Sequence, residues 1–244
     1  MNKKIGEIWK TKEGYFAEII EYVTPKNYTI ILDNNIVLKN KTYQNITKGE
    51  IKNPYHPSVY QIGFIGVGDY KTSKDKKPTL SYKCWNSMLQ RCYDKKFIIK
   101  NSWYKGCSVE LSWHNFQNFA KWFEENYIEG YELDKDIILK ENKIYSSKSC
   151  SFVPKEINNL LVSRKKLRGN YPIGVSKLNK KYLSQISLNG INHKIGIFNT
   201  IEEAFLKYKE AKEKQIQLLA NKFKTKLNYK TYNSLMNYSI QINN

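Results

Sequence analysis

The amino-acid sequence predicts a multidomain α+β protein, and three observations carry that expectation. Residues 15–38 hold short runs of β-branched and aromatic residues separated by turn formers. Residues 82–127 hold aromatic stripes at helical spacing. Residues 173–204 combine three strand-like runs with a helix-start signature. The expected division is a small β-barrel-like domain over 1–70, a mixed α+β domain over 79–162 and a basic linker over 163–170. A three-stranded antiparallel sheet backed by one helix follows over 171–224, then a tail over 225–244 to which the pattern assigns no element.

In the first block, Tyr15 to Val23 and Tyr28 to Leu32 read as strands, with Pro25-Lys26-Asn27 turning between them. Asp33-Asn34-Asn35 turns the chain again into Ile36-Val37-Leu38. Gly63, Gly66 and Gly68 close the block. No apolar-periodic helix follows them directly, so they are no dinucleotide fingerprint. Lys71 to Pro78 reads as a polar linker.

In the second block, Tyr82, Trp85, Met88, Leu89 and Cys92 recur at helical spacing. Trp113, Phe116, Phe119, Ala120, Phe123 and Tyr127 do so again, with Ser112 placed to cap that helix. Such stripes read as core. Lys155 to Leu161 reads as a further helix. Arg164, Lys165, Lys166 and Arg168 then form a basic segment, read either as a phosphate contact or as a solvated linker.

The third block is the clearest. Ile173 to Lys177, Tyr182 to Leu188 and His193 to Phe198 read as three strands, with Asn189-Gly190 as a tight hairpin turn. Thr200-Ile201-Glu202-Glu203 is a capping box. The helix it opens carries Ile201, Ala204, Phe205, Tyr208, Ala211, Gln215, Leu218 and Leu219 as an apolar stripe. One sheet face is thus covered and the other left open.

Charge bounds the partners. Forty-one Lys and Arg against 22 Asp and Glu leave +19 on 244 residues, a field that gathers polyanions such as nucleic acid. Lysine dominates arginine, which suits phosphate contact more than bidentate base reading. No apolar run reaches the roughly 20 residues of a membrane span. The first seven residues lack a signal-peptide apolar core, so a soluble, cytoplasmic protein is expected. Cys84, Cys92, Cys107 and Cys150 show no paired spacing, which reads as free, mostly buried thiols rather than a zinc site.

Two resemblances sharpen this reading. Gly174-Val175, Lys181-Tyr182-x-x-x-Ile186, Gly196-x-Phe198-x-Thr200-x-Glu202-Glu203-Ala204, Tyr208 and Ala211 together resemble the Apetala-two/ethylene-response-factor DNA-binding domain. The resemblance implies a sheet lying in the DNA major groove with a helix behind it. Strand alternation puts Ser184, Ile186 and Ile195 on the helix side and Gln185, Ser187, Asn192 and Lys194 outward. Ser176, Lys177 and Lys180 sit on or beside the first strand. Gln and Asn can pair bidentately with adenine, and Lys reaches guanine acceptors or phosphate. Where the family prefers arginine at several of these positions, this chain has Ser, Gln, Asn or Lys, which alters the inherited base preference.

The second resemblance runs through Trp85-x-x-Met88-x-x-Arg91-Cys92, Tyr104-Lys105-Gly106-Cys107-x-Val109, Trp113-x-x-Phe116-x-x-Phe119, Leu133-Asp134-Lys135-Asp136, Tyr145-Ser146-x-x-x-Cys150-x-Phe152-Val153-Pro154 and Asn158. This middle block resembles the HNH-like domains of phage and mobile-element homing endonucleases, a ββα-metal type of fold. The resemblance implies Mg²⁺ held by Asp134 and Asn158, oxygen donors that suit a hard cation. It also puts Lys135 where those enzymes carry a histidine general base, and a protonated lysine cannot take a proton from water. A desolvated Lys135, Asp136 or His114 are the three groups that can substitute, or Lys135 clamps a phosphate instead. The expectation is a phage-type, cytoplasmic duplex-DNA-binding protein of unknown oligomeric state, either a Mg²⁺-dependent endonuclease or a non-catalytic regulator or anti-defence factor.

Overall fold

The alternating runs near the N-terminus fold as an antiparallel sheet of β1 (Ile8–Lys10), β2 (Phe16–Thr24), β3 (Asn27–Leu32) and β4 (Val37–Lys41), ordered β1-β2-β3-β4. The structure, a computed structural model, describes residues 4–24, 26–161, 170–188 and 190–242. It is mixed α+β and divides into two units, residues 1–105 with 109–121 and residues 106–108 with 122–244. Among the described residues no helix is long and apolar enough to cross a membrane.

In the first unit, Ala17 and Ile19 of β2 and Tyr28, Ile30 and Leu32 of β3 bury one sheet face, joined by Ile46 of α1 (Tyr43–Thr47). The Asp33–Asn35 turn forms as the sequence indicates: Asn35 takes φ 64° and donates to the Leu32 carbonyl at 2.8 Å. Pro25 of the preceding turn lies outside the described residues. The strand β1 was not foreseen, because three residues are too few to show a period.

Lys71–Pro78 is not a plain linker. It holds a hairpin of β5 (Ser73–Lys74) and β6 (Lys77–Pro78), closed by Asp75 at φ 50° and Lys76 at φ 60°. Two consecutive left-handed residues are what a two-residue hairpin turn requires, and uniformly polar composition hid the ladder. The preceding glycines have a packing reason. A methyl group on Gly63 would collide with Leu89 and Trp85, and one on Gly66 with the Asn115 side chain.

Thr79 caps α2 (Leu80–Tyr93), which buries Trp85, Met88, Leu89 and Cys92 as the stripe predicted. Asp94 caps α3 (Lys95–Lys100) through its side chain. After β7 (Ser108–Val109) comes α4 (Phe116–Asn126), preceded by a separate 3₁₀ turn over Leu111–His114. Ser112 therefore does not cap α4; the Asn115 side chain does, accepting from Gln117 N–H at 3.0 Å. The cause is tertiary. The His114 carbonyl and the Phe116 N–H are both bonded to Phe64 at 2.9 Å, which stops the helix from starting earlier.

The second unit contains β8 (Tyr131–Asp134), β9 (Ile144–Tyr145), β10 (Ser151–Pro154) and α5 (Lys155–Leu161). Strands β8 and β10 pair antiparallel, with Asp134 opposite Ser151. It continues with β11 (Val175–Leu178), β12 (Lys181–Leu188), β13 (Ile191–Phe198), α6 (Ile201–Lys222) and α7 (Tyr229–Met236). Val153 and Ile157 share one apolar core with Val175, Ile186, Phe205, Tyr208, Ile216 and Leu235, so strand–strand–helix and three-stranded sheet are packed together.

The capping box at Thr200 and Glu203 forms in full. The buried stripe of α6, however, is Ala204, Phe205, Tyr208, Lys212, Ile216 and Ala220. The sequence reading followed apolar residues to Ala211, Gln215, Leu218 and Leu219, and Leu218 is 54% exposed. The true stripe keeps an i, i+4 row, which carries a lysine inward. The tail, unassigned from sequence, forms α7 against α6: Asn228 caps it, and Gln217 of α6 donates to the Met236 carbonyl at 3.1 Å.

Candidate nucleic-acid interface and carboxylate site

The three-stranded sheet runs β11-β12-β13 and all its pairs are antiparallel. Helix α6 packs on one face, burying Val175, Ser184 and Ile186 beneath it. Gly174, at φ 78°, opens the first strand with no room for a side chain, because Tyr208 of α6 lies against it.

The other face holds most of the residues expected there. Gln185 sits opposite Lys194, and Ser187 opposite Asn192. Ser187, Asn192 and Lys194 are exposed and Gln185 is half-buried. The register slips between Ser184 and Gln185, making Ile195 the extra residue of a bulge, which turns it toward the core as expected. Ser176 pairs with Leu183 and shares the outer face. Lys177 pairs with Tyr182, so alternation puts it on the helix side of the edge strand, although it stays exposed. Lys180 is exposed in the turn between β11 and β12. Arg164, Lys165, Lys166, Arg168 and the Asn189 turn residue lie outside the described residues.

Lys181 was passed over in the sequence reading. It is exposed and two residues from Leu183, hence on the outer face, and alternation alone would have found it. From Val175 to Phe198 the chain has four lysines and no Asp or Glu. Leu178 and Ile197 add exposed apolar surface beside them.

The second cluster gathers on β8, β10 and α5. Glu132 and Asp134 are two apart on β8 and therefore share a face. Asn158 of α5 donates through Nδ2 to Glu132 Oε2 at 2.6 Å. Asp134 Oδ1 accepts the N–H groups of Asp136 and Ile137, both at 2.8 Å. Burial pushes the Asp134 carboxyl above its usual range, against those two hydrogen bonds. Across the ladder, the buried Ser151 hydroxyl has no hydrogen-bond partner among the described residues. Glu132 was missed from sequence, although alternation from Asp134 puts it on the same face; only its bond to Asn158 needed the structure.

Lys135 turns the opposite way. Buried, it donates from Nζ to Asp136 Oδ1 at 2.5 Å and to the Asn142 carbonyl at 2.6 Å, tying the β8–β9 loop together. Held by these two bonds, the Lys135 ammonium is not placed as a phosphate clamp, while the Asp136 side chain stays 52% exposed. His114, a candidate substitute base in the sequence, is half-buried in the first unit. Its Nε2 is 3.1 Å from the Val109 carbonyl and 3.4 Å from Tyr93 Oη.

The tail adds a group that sequence gave no reason to place here. Burial, followed by the charges of Asp134 and Asp136, raises the Tyr238 phenol above its ordinary range. Lys140 lies 4.3 Å over the Tyr238 ring and donates to the Ser239 carbonyl, while Ile240 N–H bonds Glu213 at 2.8 Å.

Glu132 and Asp134 carry hard oxygen donors on one strand face, and Asn158 turns its Nδ2 toward Glu132. An incompletely compensated buried carboxylate beside an orphan hydroxyl fits a small divalent cation completed by water. Among the described residues no three His, Cys, Asp or Glu side chains gather as a metal cluster. None of the four cysteines forms a disulfide, and burial pushes the Cys84 thiol up to about 12, far from a nucleophile. No protein-family model, curated protein or solved structure matches this chain.

Proposed function

We propose that this chain binds duplex DNA, laying the outer face of β11–β13 along the major groove with its lysines on the flanking phosphates. The observation that carries the proposal is an uncovered sheet face, rich in lysine and free of carboxylates, presenting Gln185 and Asn192. A two-stranded ribbon or sheet of this width enters the groove, and amide side chains match adenine edges. Engaging about six phosphates gives a slope of log K against log salt near −5. Reversing Lys180, Lys181 and Lys194 to Glu should weaken duplex binding by about 100-fold and flatten that slope by about 3. Fluorescence anisotropy on a labelled duplex across a salt series reads both. Unchanged affinity in the triple variant would overturn the proposal.

A second reading, Mg²⁺-dependent phosphodiester cleavage by an HNH-like domain of homing-endonuclease type, is favoured by the Glu132–Asp134–Asn158 arrangement on a strand–strand–helix unit. The cation would polarise the scissile phosphate and stabilise the leaving oxygen. Asp134 and Glu132 would hold it, and the Asp136 and Ile137 amides orient Asp134. Lys135, at the general-base position, is bound into its own loop, which favours a slow enzyme or a non-catalytic regulator or anti-defence factor, since a base typically supplies about 10²–10⁴-fold. Supercoiled plasmid incubated with Mg²⁺ or with EDTA separates these. Nicking that needs Mg²⁺ and disappears in Asp134→Asn, which keeps Oδ1 for both amides, supports cleavage. An unchanged topoisomer pattern leaves the binder.

A further inference from the structure

A second basic surface lies in the other unit, on α3 and the 3₁₀ turn Ser102–Tyr104 that follows it. Between residues 91 and 105 the chain carries five cations and one carboxylate, Asp94. That carboxylate is engaged: its side chain caps α3, accepting from Lys96 and Phe97 N–H at 2.9 and 3.1 Å. Phe97 turns inward onto Tyr104, ring centroids 5.9 Å apart, and the Arg91 guanidinium sits 5.7 Å over Tyr104. These contacts fix which side faces out. Lys95, Lys96, Lys100 and Lys105 are exposed, and among them stand Ile99, 80% exposed, and Trp103, 59% exposed.

We propose that this surface binds an unpaired stretch of nucleic acid, Trp103 stacking on a base while the lysines hold the adjacent phosphates. Trp103 meets the Tyr104 ring at 5.9 Å and 49°, yet it is 59% exposed, and its water-facing indole surface is one a base can stack on. Surrounding cations without a competing carboxylate complement a polyanion. A duplex keeps its base faces stacked and hidden, so the indole selects unpaired nucleotides. An anionic membrane fits less well: interfacial helices need a long apolar face, and α3 has only six residues. The surface is independent of β11–β13. A protein with both would hold a duplex and an adjoining single strand.

The test uses the full-length chain and a labelled oligo(dT) of about 20 nucleotides. Trp103→Ala should weaken binding by about 10-fold, and Trp103→Phe should restore most of it, because stacking needs only a ring. Lys95→Glu, Lys96→Glu and Lys100→Glu together should flatten the salt slope by about 2. Equal affinity in all these variants, or no oligo(dT) binding by the unaltered chain, overturns the proposal. So does a Trp103 effect confined to vesicles of phosphatidylcholine and phosphatidylserine. The outer-face triple variant, Lys180→Glu, Lys181→Glu and Lys194→Glu, separates the two surfaces. If duplex binding proves insensitive to it while oligo(dT) binding still depends on Trp103, the groove-binding reading fails and this one stands.

Discussion

The two largest sheets among the described residues are both antiparallel meanders with one face buried, yet their open faces differ in charge. On β1–β4 the open face carries Ile8, Phe16 and Val37, with Ile8 at 62% exposure. On β11–β13 it carries Ser176, Gln185, Ser187, Asn192 and lysines beside Leu178 and Ile197, with no Asp or Glu. The cores differ too. Beneath β1–β4 lies an apolar cluster from Ala17 to Ile51. Under β11–β13, Ser184 is fully buried with no partner for its hydroxyl among the described residues, and Lys212 is buried on α6. The difference teaches that the same backbone can serve opposite ends. On the β1–β4 face the exposed Glu18 carboxylate would repel phosphate, whereas amides and ammonium groups can replace the water that hydrates DNA.

That contrast can be broken or sharpened by substitution. After the lysine reversals, the next largest effect should follow Gln185→Ala with Asn192→Ala: about 10-fold weaker binding to the preferred duplex and relaxed sequence preference. Selection of bound duplexes from a random pool reads the preference. An unaltered preferred site would show that these amides merely face water.

A smaller effect concerns the core. Burial alone lowers the Lys212 pKa to about 8. Below pH 8 both folded and unfolded chains carry that proton, and the folded state bears the buried charge. Between about 8 and 10.5 only the unfolded chain carries it, so stability should rise with pH across that window. Lys212→Met should stabilise the protein by about 1 kcal/mol at neutral pH and remove most of this rise. Thermal melts at pH 7 and 10 decide it; a destabilised Met variant would mean that Lys212 has a partner that matters.

The smallest effect is expected on the other sheet. Phe16→Ser with Val37→Thr should leave duplex affinity within about twofold, since surface changes remote from a contact add little. A tenfold loss there would erase the distinction between the sheets and move the interface.

How much was legible in the sequence follows from the range of the forces involved. Turn chemistry and capping act within a few residues, so the Asn35 turn, the Thr200–Glu203 box and the span of α5 were readable directly. Alternation likewise placed Gln185, Ser187, Asn192 and Lys194 once the strands were known. The position of Ser112 was misjudged because a bond to Phe64, distant in sequence, sets the start of α4. The candidate carboxylate site was legible in Asp134 and Asn158, and alternation reaches Glu132 from Asp134, but Tyr238 joins it through long-range contact.

By itself, then, the sequence determined the mixed α+β character, the three C-terminal strands with their covering helix, and a charge balance that favours polyanions. Local dihedral preference and periodic hydrophobicity suffice for those. Tertiary structure alone decided that α5 and β10 share a core with the three-stranded sheet, that Lys135 folds into its own loop, and that Lys212 points inward. Each of these depends on which surfaces meet, and a burial stripe records its partner's shape as much as its own residues' polarity.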